Sequence, residues 1–430
     1  MTTETSQDMH RRLSAERLAR TRAMLASWCA SASLPRHIIK VTGTSGKGSV
    51  CALLEAGLRG SGFRTGLFTS PHLIHAGERI RIDGTPLSPG EIESLTEDLG
   101  EHLQAARTVR PGIPATFFET LLMCGLESFF RERVDVAILE VAIGGSTDIV
   151  SLVPGEVSVM TSVGIDHALE IGPTIRDIAD EKARLADQGS TLVVGPSIAG
   201  EAFEAVDRAC LERSVAIRRA SLDGIVAESK GLHGHRIEMH THGKLWRVDL
   251  PLAGDHQVEN FATVAGCVDV LMERGMQVSL PNFHGGIALA RWPARLEVMP
   301  GSPVCIIDGA HNELAFTRLA RFVRREMPAQ PGVMVLGASE IDKARAACRI
   351  LGPLFQSVVL SGGFYRSIEV TDTLARDLNT ACGERVEFRT AGTPEAAASE
   401  IRAARSAGAW VLATGSLYLA GPLRELLLAE

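Results

Sequence analysis

The chain has 430 residues, which predicts two or three domains at roughly 100–200 residues per domain. The apolar fraction is 45% and the charged fraction 22%, so a mainly disordered chain is excluded. The 51 acidic residues outnumber the 44 lysines and arginines, and this balance argues against a nucleic-acid-binding protein. It leaves room for an anionic small ligand, because a few cations and backbone N–H groups can bind one.

The eight cysteines form no CxxC pair and lie mostly in apolar runs, which predicts reduced core residues of a cytoplasmic protein. The N-terminus lacks a basic segment followed by an apolar one, so no signal peptide is expected. No apolar run reaches the ~18 residues that a membrane helix needs. We therefore expect neither a membrane nor a nucleic acid among the partners.

Apolar patterning predicts alternating helices and strands in the first part of the chain. A helical segment covers residues 13–32, and another begins near residue 47 and ends near residue 60. Buried strands are predicted at 37–42, 64–68, 134–139, 157–161 and 191–194. Helical stretches between several of these strands are typical of a doubly wound, mostly parallel α/β sheet.

The pattern changes over residues 214–250, where short strands with polar turns predict a small antiparallel sheet. These strands are expected at 215–217, 224–226 and 245–250, and a helix is expected at 256–275. The α/β alternation then resumes, with strands predicted at 304–307, 333–336, 358–360, 386–388 and 410–413. We therefore predict two domains, over residues 1–298 and 299–430, the second being the smaller α/β domain.

A glycine-rich segment connects the first predicted strand to a helix. Its loop residues are Gly43, Thr44, Ser45, Gly46, Lys47, Gly48 and Ser49. Glycines let backbone N–H groups turn towards phosphate oxygens, and a helix N-terminus favours negative charge. We expect Lys47 beside the β- and γ-phosphates of a nucleotide and Ser49 on Mg²⁺. The spacing is shorter than in the general phosphate loop, and the alternative is a turn with an incidental lysine.

This shortened loop resembles that of the Mur ligase superfamily, and later motifs resemble its folylpolyglutamate synthase and dihydrofolate synthase branch. The motifs lie in order at residues 67–73, 117–119, 139–145, 161–167, 181–183, 256–260, 291–297, 308–312 and 414–419. The resemblance implies an N-terminal ATPase domain with a mostly parallel sheet and a small antiparallel sheet. A smaller Rossmann-like C-terminal domain that binds an amino acid would follow.

The resemblance also implies two Mg²⁺ ions, held by Ser49, Ser70, Glu140, His167 and Lys182. Lys182 matches a lysine that is carbamylated in the family and so becomes an anionic oxygen ligand. Together with Lys47, the residues Glu140, His167 and Lys182 are the implied catalytic group. Each has a structural alternative: a helix cap or ion pair for Glu140, a structural histidine for His167, and a surface lysine for Lys182.

Other motif residues match positions that hold the nucleotide in the family, between its two domains. They are Asn260, Arg295, Asp308 and His311. Arg295 is the implied phosphate clamp, and an interdomain ion pair is its alternative. Asp342, Lys343 and Ser416 match positions that handle the incoming amino acid or close the site.

The implied reaction is the ligation of an amino acid, glutamate, to a carboxylate substrate of the dihydropteroate or folate type. The carboxylate attacks the γ-phosphate of ATP, and the amine then displaces phosphate from the resulting acyl phosphate. Mg²⁺ and Lys47 would neutralise the developing charge. The implied partners are small molecules alone, and the chain is expected to be monomeric.

Some polar positions depart from the family pattern. Ser146 and Ser151 replace a usual arginine and asparagine, and Asp255 replaces a usual arginine. Since the phosphate and metal residues are retained, one alternative is an enzyme that acts on a non-folate acid in a specialised biosynthetic pathway. Another is a regulatory protein that binds the nucleotide without turnover.

Overall fold

The computed structural model describes residues 6–241, 244–327, 332–382 and 386–429. The chain divides into two compact units. The first unit comprises Met1–Ala227, Arg236–Leu250 and Gln257–Ala290, and the second comprises Glu228–His235, Pro251–His256 and Arg291–Glu430. The domain boundary between residues 298 and 299 stays a prediction, since compactness groups the residues from Arg291 onwards with the second unit.

The first unit contains an eight-stranded sheet. Its strands are β1 (His37–Thr42), β2 (Thr65–Phe68), β3 (Ile80–Ile82), β4 (Thr85–Pro86), β5 (Val136–Glu140), β6 (Val157–Met160), β7 (Thr191–Val194) and β8 (Ala216–Arg219). The strand order is β4-β3-β2-β5-β1-β6-β7-β8. Six neighbouring strands in this order run parallel to one another: β2, β5, β1, β6, β7 and β8. At the edge, β3 is antiparallel to both β2 and β4.

Helices cover this sheet. They are α1 (Ser6–Trp28), α2 (Lys47–Gly60), α3 (Pro89–Asp98), α4 (Gly100–Gln104), α5 (Ala106–Val109), α6 (Phe117–Arg131), α7 (Ile175–Ala183), α8 (Gly200–Glu212), α9 (His256–Glu273) and α10 (Leu280–Ala288). Every residue of β5 is buried, as expected for a parallel strand with helices on both faces. Met24 and Trp28 of α1 pack in the same core cluster as Phe129 of α6.

A small sheet follows, in the order β11-β10-β9. Its strands are β9 (Ile225–Ser229), β10 (His235–Thr241) and β11 (Lys244–Leu250). Ion pairs join Arg236 to Asp249 and Arg247 to Glu238, at 3.4 and 3.1 Å. From the first ion pair to the second, the residue number rises along β10 and falls along β11, so the two strands are antiparallel.

The prediction that residues 215–217 join this antiparallel sheet is wrong. Ala216 and Ile217 belong to β8, which pairs in parallel with β7 of the large sheet, and Val215 directly precedes it. Helix α8 connects β7 to β8, and a helical crossover is the usual connection between parallel neighbours. The strand is partly exposed because it lies at the sheet edge, and this exposure produced the polar pattern that suggested a separate sheet.

The second unit contains a six-stranded sheet in the order β12-β13-β17-β14-β15-β16. Its strands are β12 (Glu297–Met299), β13 (Cys305–Ile307), β14 (Gly332–Gly337), β15 (Ser357–Ser361), β16 (Glu387–Ala391) and β17 (Trp410–Thr414). Its helices are α11 (Glu313–Glu326), α12 (Ile341–Leu351), α13 (Asp372–Cys382), α14 (Pro394–Ser406) and α15 (Leu417–Leu428). Only β12, which the sequence did not predict, is antiparallel to its neighbour.

All eight cysteines are free thiols, and seven of them are buried. Cys29 is exposed just beyond the end of α1, so the prediction of a core position is wrong for this residue. Among the helices of the described residues, none combines the length and the apolar character needed to cross a membrane.

Glycines allow α2 and α10 to pack closely. A Cβ atom at Gly286 would lie 2.1 Å from the carbonyl oxygen of Ala56, and one at Gly60 would lie 2.6 Å from that of Asn282. The neighbouring Gly285 faces open space. A Cβ atom at Gly286 would therefore clash with the backbone of α2, whereas a Cβ atom at the adjacent Gly285 would not.

We expect Gly286→Ala to lower the free energy of unfolding by about 1–3 kcal/mol, because the added methyl group meets rigid backbone. The control is Gly285→Ala, which should raise it by up to about 1 kcal/mol through higher helix propensity. Denaturant unfolding measures both. Equal effects of the two substitutions would contradict the close packing of α2 against α10.

Candidate active site

The site residues of the first unit gather along the edge of the large sheet that is formed by the carboxyl ends of its parallel strands. The central strand β1 pairs with β5 on one side and β6 on the other, with Val41 opposite Glu140 and Thr42 opposite Met160. The loops after β1, β2, β5 and β6 all start at the carboxyl ends of these parallel strands. Ligands of open α/β sheets bind where the chain turns to opposite sides of such a central strand.

The predicted phosphate loop connects β1 to α2 in the strand–loop–helix order that its sequence indicates. Gly46 has a left-handed φ of 91° and caps α2, of which Lys47 is the first residue. A Cβ atom at Gly46 would lie 2.4 Å from Asn260 Oδ1, and one at Gly43 would lie 2.0 Å from Thr161 Oγ1. Lys47 Nζ donates a hydrogen bond of 3.0 Å to the carbonyl of Gly43.

The segment after β6 fixes the shape of this loop. Thr161 Oγ1 donates to the carbonyl of Ser45 at 2.6 Å, and the Ser45 N–H donates to Ser162 Oγ at 3.0 Å. Thr44 Oγ1 donates to the carbonyl of Gly164 and accepts from its N–H. The sequence did not identify these supports, although they lie in the motif at residues 161–167.

Helix α9 brings Asn260 to the phosphate loop. Asn260 Nδ2 donates to Gln257 Oε1 at 2.8 Å, and Gln257 Nε2 donates to Ser49 Oγ at 3.2 Å. All three residues are buried. The structure thus joins two predicted ligand residues, Ser49 and Asn260, through Gln257, which the sequence analysis had not singled out.

Glu140 and Ser70 are neighbours at the same sheet edge. Glu140 ends β5, is buried, and accepts a hydrogen bond of 3.2 Å from the Ser70 N–H. Ser70 lies just after β2, in a loop held by the carboxylate of Glu78. That carboxylate accepts from the backbone N–H groups of Leu73, Ile74 and His75 at 2.9, 3.0 and 3.1 Å.

His167 follows β6 with a left-handed φ of 53°. Its Nε2 lies 3.9 Å from Asp166 Oδ1, and its Nδ1 lies 4.0 Å from Glu170 Oε2. About a third of the imidazole is exposed. The imidazole ring therefore lies between the carboxylates of Asp166 and Glu170 in the segment after β6.

Lys182 lies in the last turn of α7 and is 4% exposed, so a surface lysine is excluded. Burial, reinforced by the charge of Lys47, lowers the pKa of Lys182 to about 7. Gly145 allows the loop after β5 to lie against this helix, since its Cβ atom would fall 2.3 Å from the carbonyl oxygen of Glu181. The Lys182 amine is therefore neutral in a large fraction of molecules near pH 7.

Two positions that depart from the family pattern lie beside Lys182. Glu181 accepts hydrogen bonds from Ser146 Oγ at 2.8 Å and from Thr147 Oγ1 at 2.7 Å, and Ser151 Oγ donates to the Ser146 carbonyl. In the second unit, Arg325 Nη1 donates to both carboxylate oxygens of Asp255, at 2.6 and 2.5 Å.

A cleft in the first unit was not found from the sequence. Its lining residues are Ser14, Arg17, Phe118, Ala142, Ile143, Thr147, Asp148, Glu170 and Ile171. Arg17 is the one cationic side chain in this lining. Burial raises the pKa of Asp148, while backbone hydrogen bonds and Arg17 oppose that shift.

In the second unit, Arg295 and Asp308 come together where β13 ends. Asp308 is buried and accepts from the N–H groups of Leu296 and Ala310, both at 2.9 Å. Burial raises the pKa of Asp308, and the charge of Arg295 opposes the rise.

The short turn before β12 directs Arg295 towards the loop after β13. Ala294 and Leu296 have left-handed φ angles of 55° and 48°. A Cβ atom at Gly309 would lie only 2.5 Å from Arg295 Nη1. His311 Nδ1 is 2.9 Å from the Gly309 carbonyl oxygen, so three of the predicted nucleotide residues meet around this glycine.

The residues predicted to handle the amino acid have local structural partners. Lys343 pairs with Glu340 at 2.8 Å, and Asp342, which is 92% exposed, pairs with Arg345 at 3.2 Å. Ser416 caps α15 by accepting from the N–H of Tyr418.

Comparisons with known proteins agree with this geometry. Residues 41–268 match the Mur ligase middle domain. The dihydrofolate synthase/folylpolyglutamate synthases of Mycobacterium tuberculosis and Bacillus subtilis are 31% and 30% identical to the chain; each match covers 90% of this chain and 85% and 89% of those proteins. A folylpolyglutamate synthase structure from M. tuberculosis, complexed with ADP and AMPPCP, has a TM-score of 0.83 at 28% identity and 95% coverage of both chains.

A longer relative also matches. The probable bifunctional folylpolyglutamate synthase/dihydropteroate synthase of Haloferax volcanii is 32% identical over 90% of this chain. The chain spans only 45% of that protein, less than half of its length.

The sheet topology, the phosphate loop and the middle-domain match define a Mur ligase. Within that class, the chain belongs to the folylpolyglutamate synthase and dihydrofolate synthase family. This membership confirms the family and fold expected from the sequence.

The lowered pKa of Lys182 predicts a pH-dependent stability. Between pH 7 and the usual lysine pKa of 10.5, the unfolded chain binds more protons than the folded one, so the free-energy cost of burying this amine falls as the pH rises. Lys182→Met should therefore raise the melting temperature more at pH 6 than at pH 9. Thermal unfolding in buffers depleted of CO₂ measures this difference, and an equal gain at both pH values would contradict the shift.

Proposed function

We propose that the protein ligates glutamate to the carboxylate of a dihydropteroate- or folate-type acid and converts ATP to ADP and phosphate. The observation that supports this best is the convergence of the phosphate loop, Glu140 and Lys182 at one sheet edge. The substrates come from the names of its relatives, among them an Escherichia coli structure described as a complex with DHPP and ADP.

The nucleotide phosphates would lie on the loop from Gly43 to Ser49. Lys47 starts α2, where its ammonium group and the helix N-terminus both favour phosphate oxygens. Asn260 would contact the nucleotide from α9. Arg295, Asp308 and His311 are the further residues that we propose for nucleotide binding, with Arg295 on the phosphates.

Two Mg²⁺ ions fit the donors at this edge. The described residues hold no group of three His, Cys, Asp or Glu side chains suited to a metal ion. The proposed ligands are instead mixed: Ser49, Ser70, Glu140, His167 and a modified Lys182. All of these except the His167 imidazole are hard oxygen donors, which suit Mg²⁺, and the ions would neutralise charge on the transferring phosphoryl group.

Lys182 is the proposed site of carbamylation. Its burial favours the neutral amine, which is the form that adds CO₂, and its carbamate would supply an anionic oxygen. Glu181 is held by Ser146 and Thr147, which fixes the last turn of α7 against the loop after β5. The modified side chain would thus be positioned before any substrate binds.

The acid would bind in the cleft that contains Arg17, Phe118 and Asp148. Its carboxylate would attack the γ-phosphate, and the amino group of glutamate would then attack the acyl phosphate. Lys47 would stabilise charge on the phosphate in the first step. No protein nucleophile takes part in this scheme. We propose that the enzyme acts as a cytoplasmic monomer with small-molecule partners.

The test is a screen for ADP release, in which acids are paired with amino acids and the products are identified by mass spectrometry. We expect release that requires both a folate-type acid and glutamate. Lys47→Met should reduce it by about 100-fold or more, because it removes a charge that stabilises the transition state.

Two outcomes would reject this function. ATP binding without ADP release for any acid would favour a regulatory protein. ADP release with other acids, but none with folates, would favour an enzyme recruited to a different acid. Ser146 supports the second alternative, because it replaces a usual arginine directly beside Thr147, which lines the cleft.

A further inference from the structure

Polar contacts at two places join α1 to α6, and these places lie at different distances from the cleft. Near the middle of α1, Arg20 pairs with Glu119 in the first turn of α6. At the end of α1, Trp28 Nε1 donates a hydrogen bond of 2.7 Å to Glu127 Oε2. The two contacts provide a matched comparison within one helix pair.

The Arg20–Glu119 pair is buried and two-pronged. Arg20 Nε and Nη2 donate to the two carboxylate oxygens of Glu119, each at 3.1 Å. The side chains are only 6% and 1% exposed. Glu119 also accepts from Thr21 Oγ1 at 3.4 Å and from the Thr116 N–H at 2.7 Å. Such a fork fixes direction as well as distance between two elements.

Both partners are adjacent to residues that line the cleft. Arg17 precedes Arg20 by three positions, which places the two residues about one helical turn apart on neighbouring parts of the α1 surface. Phe118 directly precedes Glu119. The ion pair therefore connects the α1 wall of the cleft, with Ser14 and Arg17, to its α6 wall, with Phe118.

Net stabilisation is a weak explanation for this pair. A buried ion pair often contributes little to folding compared with apolar residues of the same size, because both charges lose their hydration. Apolar burial of Met24 and Trp28 already holds the second half of α1. Nearer Arg17, Leu18 also packs against this core cluster, and the directed contacts of Arg20 and Thr21 add a fixed orientation to that apolar packing.

We propose that Arg20 and Glu119 are positioning residues for the acid substrate, since they set the place of Arg17 relative to Phe118. This inference rests on the proposed function, in which the cleft binds the acid. Neither residue contacts the phosphate loop in this scheme. Loss of the pair should therefore raise the KM for the acid and leave the affinity for ATP unchanged.

The test compares Glu119→Gln with the wild-type enzyme in steady-state assays of ADP release. We expect the KM for the acid to rise about 10- to 100-fold, as a misplaced wall of a binding site would cause. The dissociation constant for ATP should stay within about twofold. Arg20→Lys, which keeps the charge but loses the fork, should show a smaller rise in the same KM.

The matched control is Glu127→Gln, which removes the charged acceptor of Trp28 at the far end of the same helices. It should lower the melting temperature without changing the KM for the acid. Arg20→Met combined with Glu119→Leu, which restores apolar packing, should recover melting temperature but keep the raised KM.

A rise in KM that follows melting temperature across all these variants would show a purely structural role and overturn the inference. An unchanged KM in Glu119→Gln would overturn it as well, with the proposed function intact. A wild-type protein that turns over no acid would instead reject the proposed function, and the positioning role would fall with it.

Discussion

The site of the first unit depends on the register of one buried strand, β1. Its parallel pairing on both sides places the phosphate loop level with Glu140 and with the segment after Met160. A slip of one residue would turn every side chain of β1 to the opposite face. Lys40 prevents this, because its buried amine pairs with Asp187 at 2.7 Å, and that carboxylate also accepts the Gly155 N–H. On the other face, Lys40 would lose its partner.

From that register, close backbone contacts bring the charged groups of the site together. Gly43 and Gly145 allow the loops after β1 and β5 to approach Thr161 and Glu181 more closely than any side chain would permit. The charge of Lys47 then adds to burial in lowering the pKa of Lys182. The lysine that we propose to contact phosphate thus helps to keep the buried lysine neutral, and the two amines are suited to different chemistry.

The sequence predicted elements that are buried on both faces, because continuous apolar runs such as residues 37–42 and 191–194 mark parallel strands. It missed β3, β4 and β12, which are at most three residues long, and it also missed β10. It misplaced β8, whose exposed edge imitates a polar hairpin. Motifs indicated Glu140 and Asn260 as site residues. Gln257 and Glu119 lie in two of these motifs, but the motifs did not indicate that they contact Ser49 and Arg20, because partners about 100 to 200 positions apart leave no local pattern.

The departures from the family pattern separate two properties of the site. Ser146 occupies the position of a usual arginine, yet Glu181 remains fully engaged through Ser146 Oγ, Thr147 Oγ1 and two backbone N–H groups. The loop after β5 therefore stays docked on α7, and Lys182 keeps its buried position. The resemblance implies one cation fewer beside Thr147, which lines the cleft proposed for the acid. Recognition of the acid can thus diverge in this chain while the groups proposed for phosphate transfer remain in place.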